Sequence, residues 1–137
     1  MSDSVKARKD CIHLLLVDDE EGYVNVLANR LGKRGIDVTK AYCGTDALQA
    51  VRSRDFDVVV LDLKMEDMDG LEVLQVLKQL DKRMEVIMLT GHGSQAAARA
   101  GLEHGAFDYL TKPCELDELL EKIREACVHK KNKKDQK

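Results

Sequence analysis

Five short apolar runs, separated by longer amphipathic segments, constrain the fold of this chain more than any other feature of its sequence. The runs cover residues 12–17, 36–41, 58–61, 86–89 and 106–110. The central runs are short and rich in Val, Ile and Leu, which is typical of strands buried on both faces of a parallel sheet. The second run, IDVTKA, alternates apolar and polar residues, which indicates a strand at the edge of that sheet.

Between the runs, apolar residues recur at the spacing of an α-helix. The residues predicted to share one face of the first helix are Tyr23, Val24, Val26, Leu27 and Leu31. The fourth helix is predicted to begin at Ser94. Alternating strands and helices with short connections predict right-handed crossovers. We therefore predict an α/β fold, a flavodoxin-like doubly wound five-stranded parallel sheet of order 2-1-3-4-5 with helices on both faces.

The strand–helix units fill residues 11–128, which we predict to form one domain. We expect residues 1–10 to be a disordered N-terminal segment and residues 129–137 to be a basic disordered tail. The last eight residues, KKNKKDQK, hold five lysines and one aspartate and therefore carry a charge of +4. Because the net charge of the whole chain is −3, residues 1–129 carry −7. A nucleic-acid binder would carry its basic residues on the folded body among aromatics. We therefore expect no direct binding to nucleic acid.

The sequence favours a cytoplasmic protein without membrane contact. No apolar run approaches the roughly 20 residues that a membrane span needs. The first residues, MSDSVKARKD, lack the apolar stretch of a signal peptide. The cysteines at 11, 43, 114 and 127 are scattered and form no CxxC pair, which is typical of reduced thiols.

Polar side chains follow four of the five predicted strands. Asp18 and Asp19 follow the first strand, Asp62 ends the third, Thr90 ends the fourth and Lys112 follows the fifth. The carboxyl ends of parallel strands form the ligand crevice of such a sheet, so we expect these residues to converge. An aspartate after a strand is often only the N-cap of the next helix. The shared position at four strand ends is what favours a functional site.

Three neighbouring carboxylates repel one another and raise one another's pKa values. A hard divalent cation relieves that repulsion, and Mg2+ (or Mn2+) also bridges carboxylates to phosphate oxygens. In such a site Asp62 could attack an incoming phosphoryl group as a carboxylate nucleophile. Lys112 and Thr90 would then balance the charge on the transferred group.

Four stretches of the chain carry a resemblance to a known family. They are LLLVDDE (14–20), VVVLDLKMEDMDG (58–70), VIMLTGHG (86–93) and GAFDYLTKP (105–113). Together they resemble the receiver domain of bacterial two-component response regulators, of the CheY-like type, over residues 11–128. The resemblance implies a signalling switch that catalyses only its own phosphorylation and dephosphorylation. It implies that Asp62 is the phosphoacceptor.

The same resemblance implies roles for the neighbouring residues. Mg2+ would be held by Asp18, Asp19 and Asp62, together with the main-chain carbonyl of Lys64. Thr90 would be the switch hydroxyl, Tyr109 the aromatic residue that changes rotamer with it, and Lys112 the lysine that pairs with the phosphate.

Two further residues lie near the predicted site. Among receivers, residues at the places of Lys64 and His92 influence how long the acyl phosphate lasts. Our hypothesis is that these two side chains govern access of the attacking water. A solvated lysine and an exposed loop histidine are the alternative, which the sequence leaves open.

The resemblance also implies partners. The phosphoryl donor would be a sensor histidine kinase or a phosphotransfer protein that carries phosphohistidine. We expect a stand-alone receiver that signals to a partner protein, with a missing output domain of a longer regulator as the alternative. A homodimer that forms on phosphorylation is also left open.

Two other functions fit the sequence less well. A magnesium-dependent phosphatase or phosphotransferase of the haloacid dehalogenase type would place an acid two residues after the nucleophile, where Lys64 stands. A nucleotide or flavin module would place a phosphate-binding loop after the first strand. This chain instead has VDDEEGY there, whose carboxylates repel phosphate.

Overall fold

Each predicted apolar run forms a strand, and a helix follows each strand. The computed structural model describes residues 11–91 and 95–135. The strands are β1 (His13–Val17), β2 (Asp37–Ala41), β3 (Val58–Asp62), β4 (Glu85–Thr90) and β5 (Asp108–Thr111). The helices are α1 (Glu21–Lys33), α2 (Gly44–Ser53), α3 (Gly70–Leu80), α4 (Gln95–Glu103) and α5 (Leu116–Asp135). Ser94, which we predicted to begin α4, lies outside the described residues.

The strands pair in parallel in the order β2-β1-β3-β4-β5. This order confirms the predicted flavodoxin-like doubly wound sheet, with the alternating second run at one edge. Every residue of β3 and β4 is buried, because helices cover both faces of the central strands. Val17 of β1 lies beside Leu61 of β3, so the residues that follow β1 meet the carboxyl end of β3.

A separate apolar core lies on each face of the sheet. Leu14 and Leu16 of β1 belong to the core that α1 and α5 cover. Leu15 and Val17 belong to the core that α2 and α3 cover, because successive side chains of a strand point to opposite faces.

The buried face of α1 is narrower than predicted. Val24, Leu27 and Leu31 are buried, as expected. Val26 was wrongly assigned to that face, since it is 57% exposed. The three buried residues recur every three to four positions, and a turn of 3.6 residues carries Val26 away from them.

Helix α5 corrects the predicted end of the domain. Residues 129–135 continue this helix instead of forming a disordered tail. The physical reason is that basic side chains of this segment find acidic partners at the amino ends of the strands. Residues 1–10 and 136–137, which we also predicted to be disordered, lie outside the described residues.

The contacts of this segment form what we call the amino-end cluster. Its members are Asp57, Lys78, Glu85, His129, Lys130 and Lys133. Glu85 is 2% exposed and contacts His129. Its carboxylate lies 3.3 Å from Lys133 Nζ and 3.7 Å from Lys78 Nζ. Lys130 Nζ lies 3.0 Å from Asp57 Oδ1, so each of the two carboxylates has at least one cation.

Two further predictions concern the state of the cysteines and the presence of a membrane-spanning segment. All four cysteines are free thiols, and Cys127 of α5 is packed in the core. In the part of the chain that the structure describes, no helix combines the length and the apolar character that crossing a bilayer requires.

Candidate functional site

Three carboxylates meet at the carboxyl end of the sheet. Asp18 and Asp19 directly follow β1, and Asp62 is the last residue of β3. One oxygen from each side chain lies within 4.8 Å of the others. Because β1 and β3 are parallel neighbours, the two strands deliver these residues to one point. Asp18 is 0% exposed and Asp62 is 6% exposed, so two of the three carboxylates lie below the surface.

Lys112, which follows β5, is the cation that faces these carboxylates. Its Nζ lies 2.6 Å from Asp18 Oδ2 and 3.7 Å from Asp62 Oδ2. A hydrogen bond of 2.7 Å from Lys112 N to Thr90 O ties this segment to the end of β4. The structure therefore brings together Asp18, Asp19, Asp62 and Lys112, as the strand ends predicted.

The site holds more negative than positive charge. Burial, together with the charge of Asp18, raises the pKa of Asp62 to about 6, although Lys112 acts in the opposite direction. Burial alone would lower the pKa of Lys112, but its hydrogen bond to Asp18 and the charge of Asp62 raise the pKa overall. A single ammonium group is thus shared among several carboxylates, and a divalent cation would neutralise the excess.

The backbone after β3 orients the Asp62 carboxylate. Lys64 N donates a hydrogen bond of 3.2 Å to Asp62 Oδ1. Gly70 N donates to Leu63 O at 3.2 Å and closes the intervening residues into a loop. A Cβ atom on Gly70 would lie 2.5 Å from Leu63 Cα, so this closure requires glycine. The Lys64 side chain is exposed.

Thr90 and Tyr109, the predicted switch pair, lie on neighbouring strands. Thr90 is buried, and its Oγ1 donates a hydrogen bond of 3.4 Å to Leu110 O in β5. Tyr109 is half-buried beside Arg99 and Leu102 of α4. His92, the second residue predicted to tune the phosphoryl lifetime, lies outside the described residues.

The sequence analysis assigned no role to two residues of this site. Glu20 Oε1 lies 3.4 Å from Lys112 Nζ, and the same Nζ lies 4.8 Å from the centre of the Tyr23 ring. Burial raises the pKa of Tyr23. Glu20 directly follows the acidic pair and Tyr23 lies in the first turn of α1, so their positions close to the pair were the available signal.

The donor set fits Mg2+ or Mn2+. Its three side chains offer carboxylate oxygens, and these are the ligands that small hard cations prefer. Within residues 11–91 and 95–135, Asp18, Asp19 and Asp62 are the one group of His, Cys, Asp and Glu side chains close enough to share an ion.

Comparison with known proteins identifies the family. The sequence profile of the response regulator receiver domain matches residues 14–124. This chain belongs to the response regulator receiver family. The matched range includes the whole acidic site, from Asp18 to Lys112.

Curated relatives of this receiver domain include transcriptional regulatory proteins. This chain is 41% identical over 114 residues to the uncharacterized transcriptional regulatory protein YkoG of Bacillus subtilis, with 83% of this chain and 50% of that protein covered. It is 39% identical over 114 residues to the transcriptional regulatory protein GlrR of Escherichia coli, with 83% of this chain and 26% of that protein covered. The chain thus spans between a quarter and a half of these relatives.

Solved receiver domains share the whole fold. A response regulator receiver domain from Clostridium thermocellum superposes with a TM-score of 0.84 at 33% identity, covering 88% of this chain and 97% of that one. A CheY-like receiver domain from Methanospirillum hungatei gives a TM-score of 0.86 at 29% identity, with 90% and 98% covered. The receiver fold of a two-component response regulator therefore accounts for nearly all of the chain.

Proposed function

We propose that Asp62 accepts a phosphoryl group from a sensor histidine kinase or a phosphotransfer protein, in a reaction that depends on Mg2+ or Mn2+. The observation that carries this proposal is the meeting of Asp62 with Asp18, Asp19 and Lys112 at the end of the sheet. Membership of the receiver family supports the same conclusion.

In the proposed reaction, an oxygen of Asp62 attacks the phosphorus of a phosphohistidine on the donor protein. The phosphorus–nitrogen bond breaks, and its electron pair stays on the imidazole, which takes up a proton. The new phosphorus–oxygen bond makes Asp62 an acyl phosphate. Attack requires the ionised carboxylate, and a pKa of about 6 leaves Asp62 mostly ionised at neutral pH.

The neighbouring residues would hold the cation and the transferred group. Asp18, Asp19, Asp62 and the main-chain carbonyl of Lys64 would hold the divalent cation, which supplies neutralisation of charge on the phosphoryl oxygens. Lys112 Nζ lies 3.7 Å from Asp62 Oδ2, which is close enough for it to pair with a phosphoryl group on that carboxylate.

The proposed signal begins at Thr90. Its hydroxyl would exchange the hydrogen bond to Leu110 O for one to the phosphoryl group, and Tyr109 would change rotamer with it. This exchange would alter the contact between β4 and β5 and, through Tyr109, the surface next to α4. Lys64 and His92 would set the lifetime of the acyl phosphate through the access of water.

The output partner belongs to the same proposal. Two curated relatives are named as transcriptional regulatory proteins, and the chain matches at most half of their length. This supports an output to transcription, through a partner protein or through a domain outside this sequence. Phosphorylation would change the affinity of the α4–β5 surface for that partner.

Incubation with acetyl phosphate and Mg2+, followed by intact-mass measurement, tests the acceptor role. We expect one phosphoryl group per chain in the wild type and none in Asp62→Asn, because the amide is a poor nucleophile. The adduct should be lost on treatment with hydroxylamine, which cleaves acyl phosphates.

Asp55→Asn is the matched control, since Asp55 is an exposed aspartate that precedes β3 at the other end of the sheet. It should be labelled like the wild type. An adduct that persists in Asp62→Asn would refute the proposal, as would a wild type that remains unlabelled with the cation present.

The lifetime role has its own experiment. We expect Lys64→Ala combined with His92→Ala to change the half-life of the acyl phosphate while the labelling stoichiometry stays the same. An unchanged half-life would leave these two residues as a solvated lysine and a loop histidine.

A further inference from the structure

The loop between β3 and α3, residues 63–69, is attached to a neighbouring helix by one side chain. Asp67 accepts hydrogen bonds from Gly44 N (2.9 Å), Thr45 N (3.0 Å) and Thr45 Oγ1 (3.2 Å). Gly44 and Thr45 begin α2, where the first N–H groups have no acceptor within the helix. Cys43 stands at the N-cap position, and its side chain makes no capping hydrogen bond. Asp67 therefore caps α2 from another part of the chain.

Two close approaches hold the same loop in place. A Cβ atom on Gly44 would lie 2.9 Å from Met68 Sδ, so the missing side chain lets the loop rest against the start of α2. At the base of the loop, Lys64 and Asp69 form an isolated antiparallel bridge. The loop is thus closed at its base and attached to α2 at its tip.

The base of this loop contacts the phosphoryl acceptor. Lys64 N donates a hydrogen bond of 3.2 Å to Asp62 Oδ1, and Lys64 stands three residues before Asp67. A loop that left α2 would move this amide relative to Asp62. The carbonyl of the same residue would move with it.

We infer that Asp67 is a positioning residue. By capping α2 it fixes the loop between β3 and α3, and this loop directs the Lys64 main chain toward Asp62. This inference rests on the proposed function and deepens it. Both carboxylate oxygens of Asp67 accept hydrogen bonds, from Gly44 and Thr45, and these bonds hold the pKa of Asp67 below its usual range.

Asp67→Ala tests the inference, with three measurements on the folded protein. We expect the amide resonance of Lys64 to shift and the affinity for Mg2+, measured by calorimetric titration, to fall. Labelling by acetyl phosphate at saturating Mg2+ should slow by about tenfold, since displacement of a reacting group by about 1 Å can cost about 100-fold in rate.

Matched variants separate positioning from stability. Glu66→Ala removes the neighbouring exposed carboxylate and should leave all three measurements unchanged. Asp67→Asn keeps one acceptor oxygen and should recover part of the labelling rate. Thr45→Val removes only the hydroxyl donor, so its effect on labelling should be smaller than that of Asp67→Ala.

Each outcome decides the inference. If Asp67→Ala lowers only the melting temperature, Asp67 is a helix cap and the inference is wrong. If Asp67→Ala does not fold, Asp67→Asn and Thr45→Val carry the same comparison. If the wild type is not labelled at all, the proposed function fails, but the Lys64 resonance and the Mg2+ affinity still decide whether Asp67 positions the loop.

Discussion

Both ends of the sheet bury carboxylates, but the two ends differ in how those charges are balanced. At the amino end, Glu85 and Asp57 are paired with four basic side chains of α3 and α5. At the carboxyl end, Asp18, Asp19 and Asp62 lie close together, and Lys112 pairs with Asp18 and Asp62. Buried charge is stable only when it is paired. Because both carboxylates at the amino end have basic partners, we interpret this cluster as a structural one. A shortage of positive charge, rather than acidity itself, distinguishes the carboxyl end, where we propose that the phosphoryl group is accepted.

The largest expected effect comes from removing the hydrogen-bonding partners of Glu85 at the amino end. The double substitution His129→Gln and Lys133→Gln leaves the buried Glu85 with only the more distant Lys78. We expect the free energy of unfolding to fall by about 2–3 kcal/mol, since breaking a buried ion pair strands a charge. Urea denaturation measures this change.

Lys131→Gln is the control for that experiment, because Lys131 lies on the exposed side of the same segment. It removes one positive charge and should leave the free energy of unfolding nearly unchanged. If the double substitution costs no more than this control, the amino-end cluster does not stabilise the fold.

At the other end, removing a carboxylate should stabilise the protein. With chelator present at about pH 8, we expect Asp62→Asn to raise the free energy of unfolding by about 1–2 kcal/mol. The folded pKa of Asp62, about 6, lies above that of an unfolded aspartate, so the ionised group disfavours the fold at high pH. The wild type gains stability as the pH falls through that value.

The advantage of Asp62→Asn should therefore shrink between about pH 8 and about pH 5, which urea denaturation across that range measures. Asp55→Asn should show no such trend. A loss of stability in Asp62→Asn at about pH 8 would contradict the charge imbalance at this end.

A divalent cation should stabilise the wild type through the carboxyl end alone. At ten times its dissociation constant, Mg2+ is expected to raise the free energy of unfolding by about 1.4 kcal/mol. Asp18→Asn should weaken this response, whereas the His129→Gln and Lys133→Gln variant should keep it in full. Thermal unfolding with and without Mg2+ measures both, and loss of the response in the amino-end variant would mean that the two ends are not independent.

The smallest effect concerns the second ion pair of the amino-end cluster. We expect Lys130→Gln to lower the free energy of unfolding by about 0.5 kcal/mol at neutral pH, because Lys130 and Asp57 are both partly exposed. Burial would raise the pKa of Asp57, but the hydrogen bond from His13 N and the contact with Lys130 lower it overall.

Because the pKa of Asp57 is lower in the folded protein than in the unfolded chain, its ionised form stabilises the fold at pH values above about 4, the unfolded pKa. This stabilisation is lost as the pH falls through the folded pKa. The difference between Lys130→Gln and the wild type should therefore diminish in acid, as urea denaturation at several pH values would show. A difference that grows in acid would exclude the pairing of Lys130 with Asp57 as its cause.

The features that the sequence predicted are those that depend on local periodicity and on topology. The apolar runs determine which segments become strands, and the crossover rule then places the ends of β1, β3 and β5 at one crevice. Asp18, Asp62 and Lys112 could therefore be placed together without knowledge of any contact.

Side-chain pairs that are distant along the chain and that the strand order does not bring together could not be predicted. Glu85 directly precedes an apolar run, where the sequence alone predicts a loop residue. Its partners His129 and Lys133 stand more than forty residues later. No spacing in the sequence encodes that pairing. The lysines of the last segment were therefore interpreted as a solvated tail. The cap that Asp67 provides to α2 escaped prediction for the same reason.

The continuation of α5 has a practical consequence for protein engineering. A chimera that joins this receiver to a foreign module directly after Val128 would discard the histidine and the lysine that contact Glu85. The graft would then either unfold more readily or need an apolar replacement at position 85. A junction placed beyond Lys133 keeps the donor domain intact, so the unit that can be transplanted is longer than the range that its family signature covers.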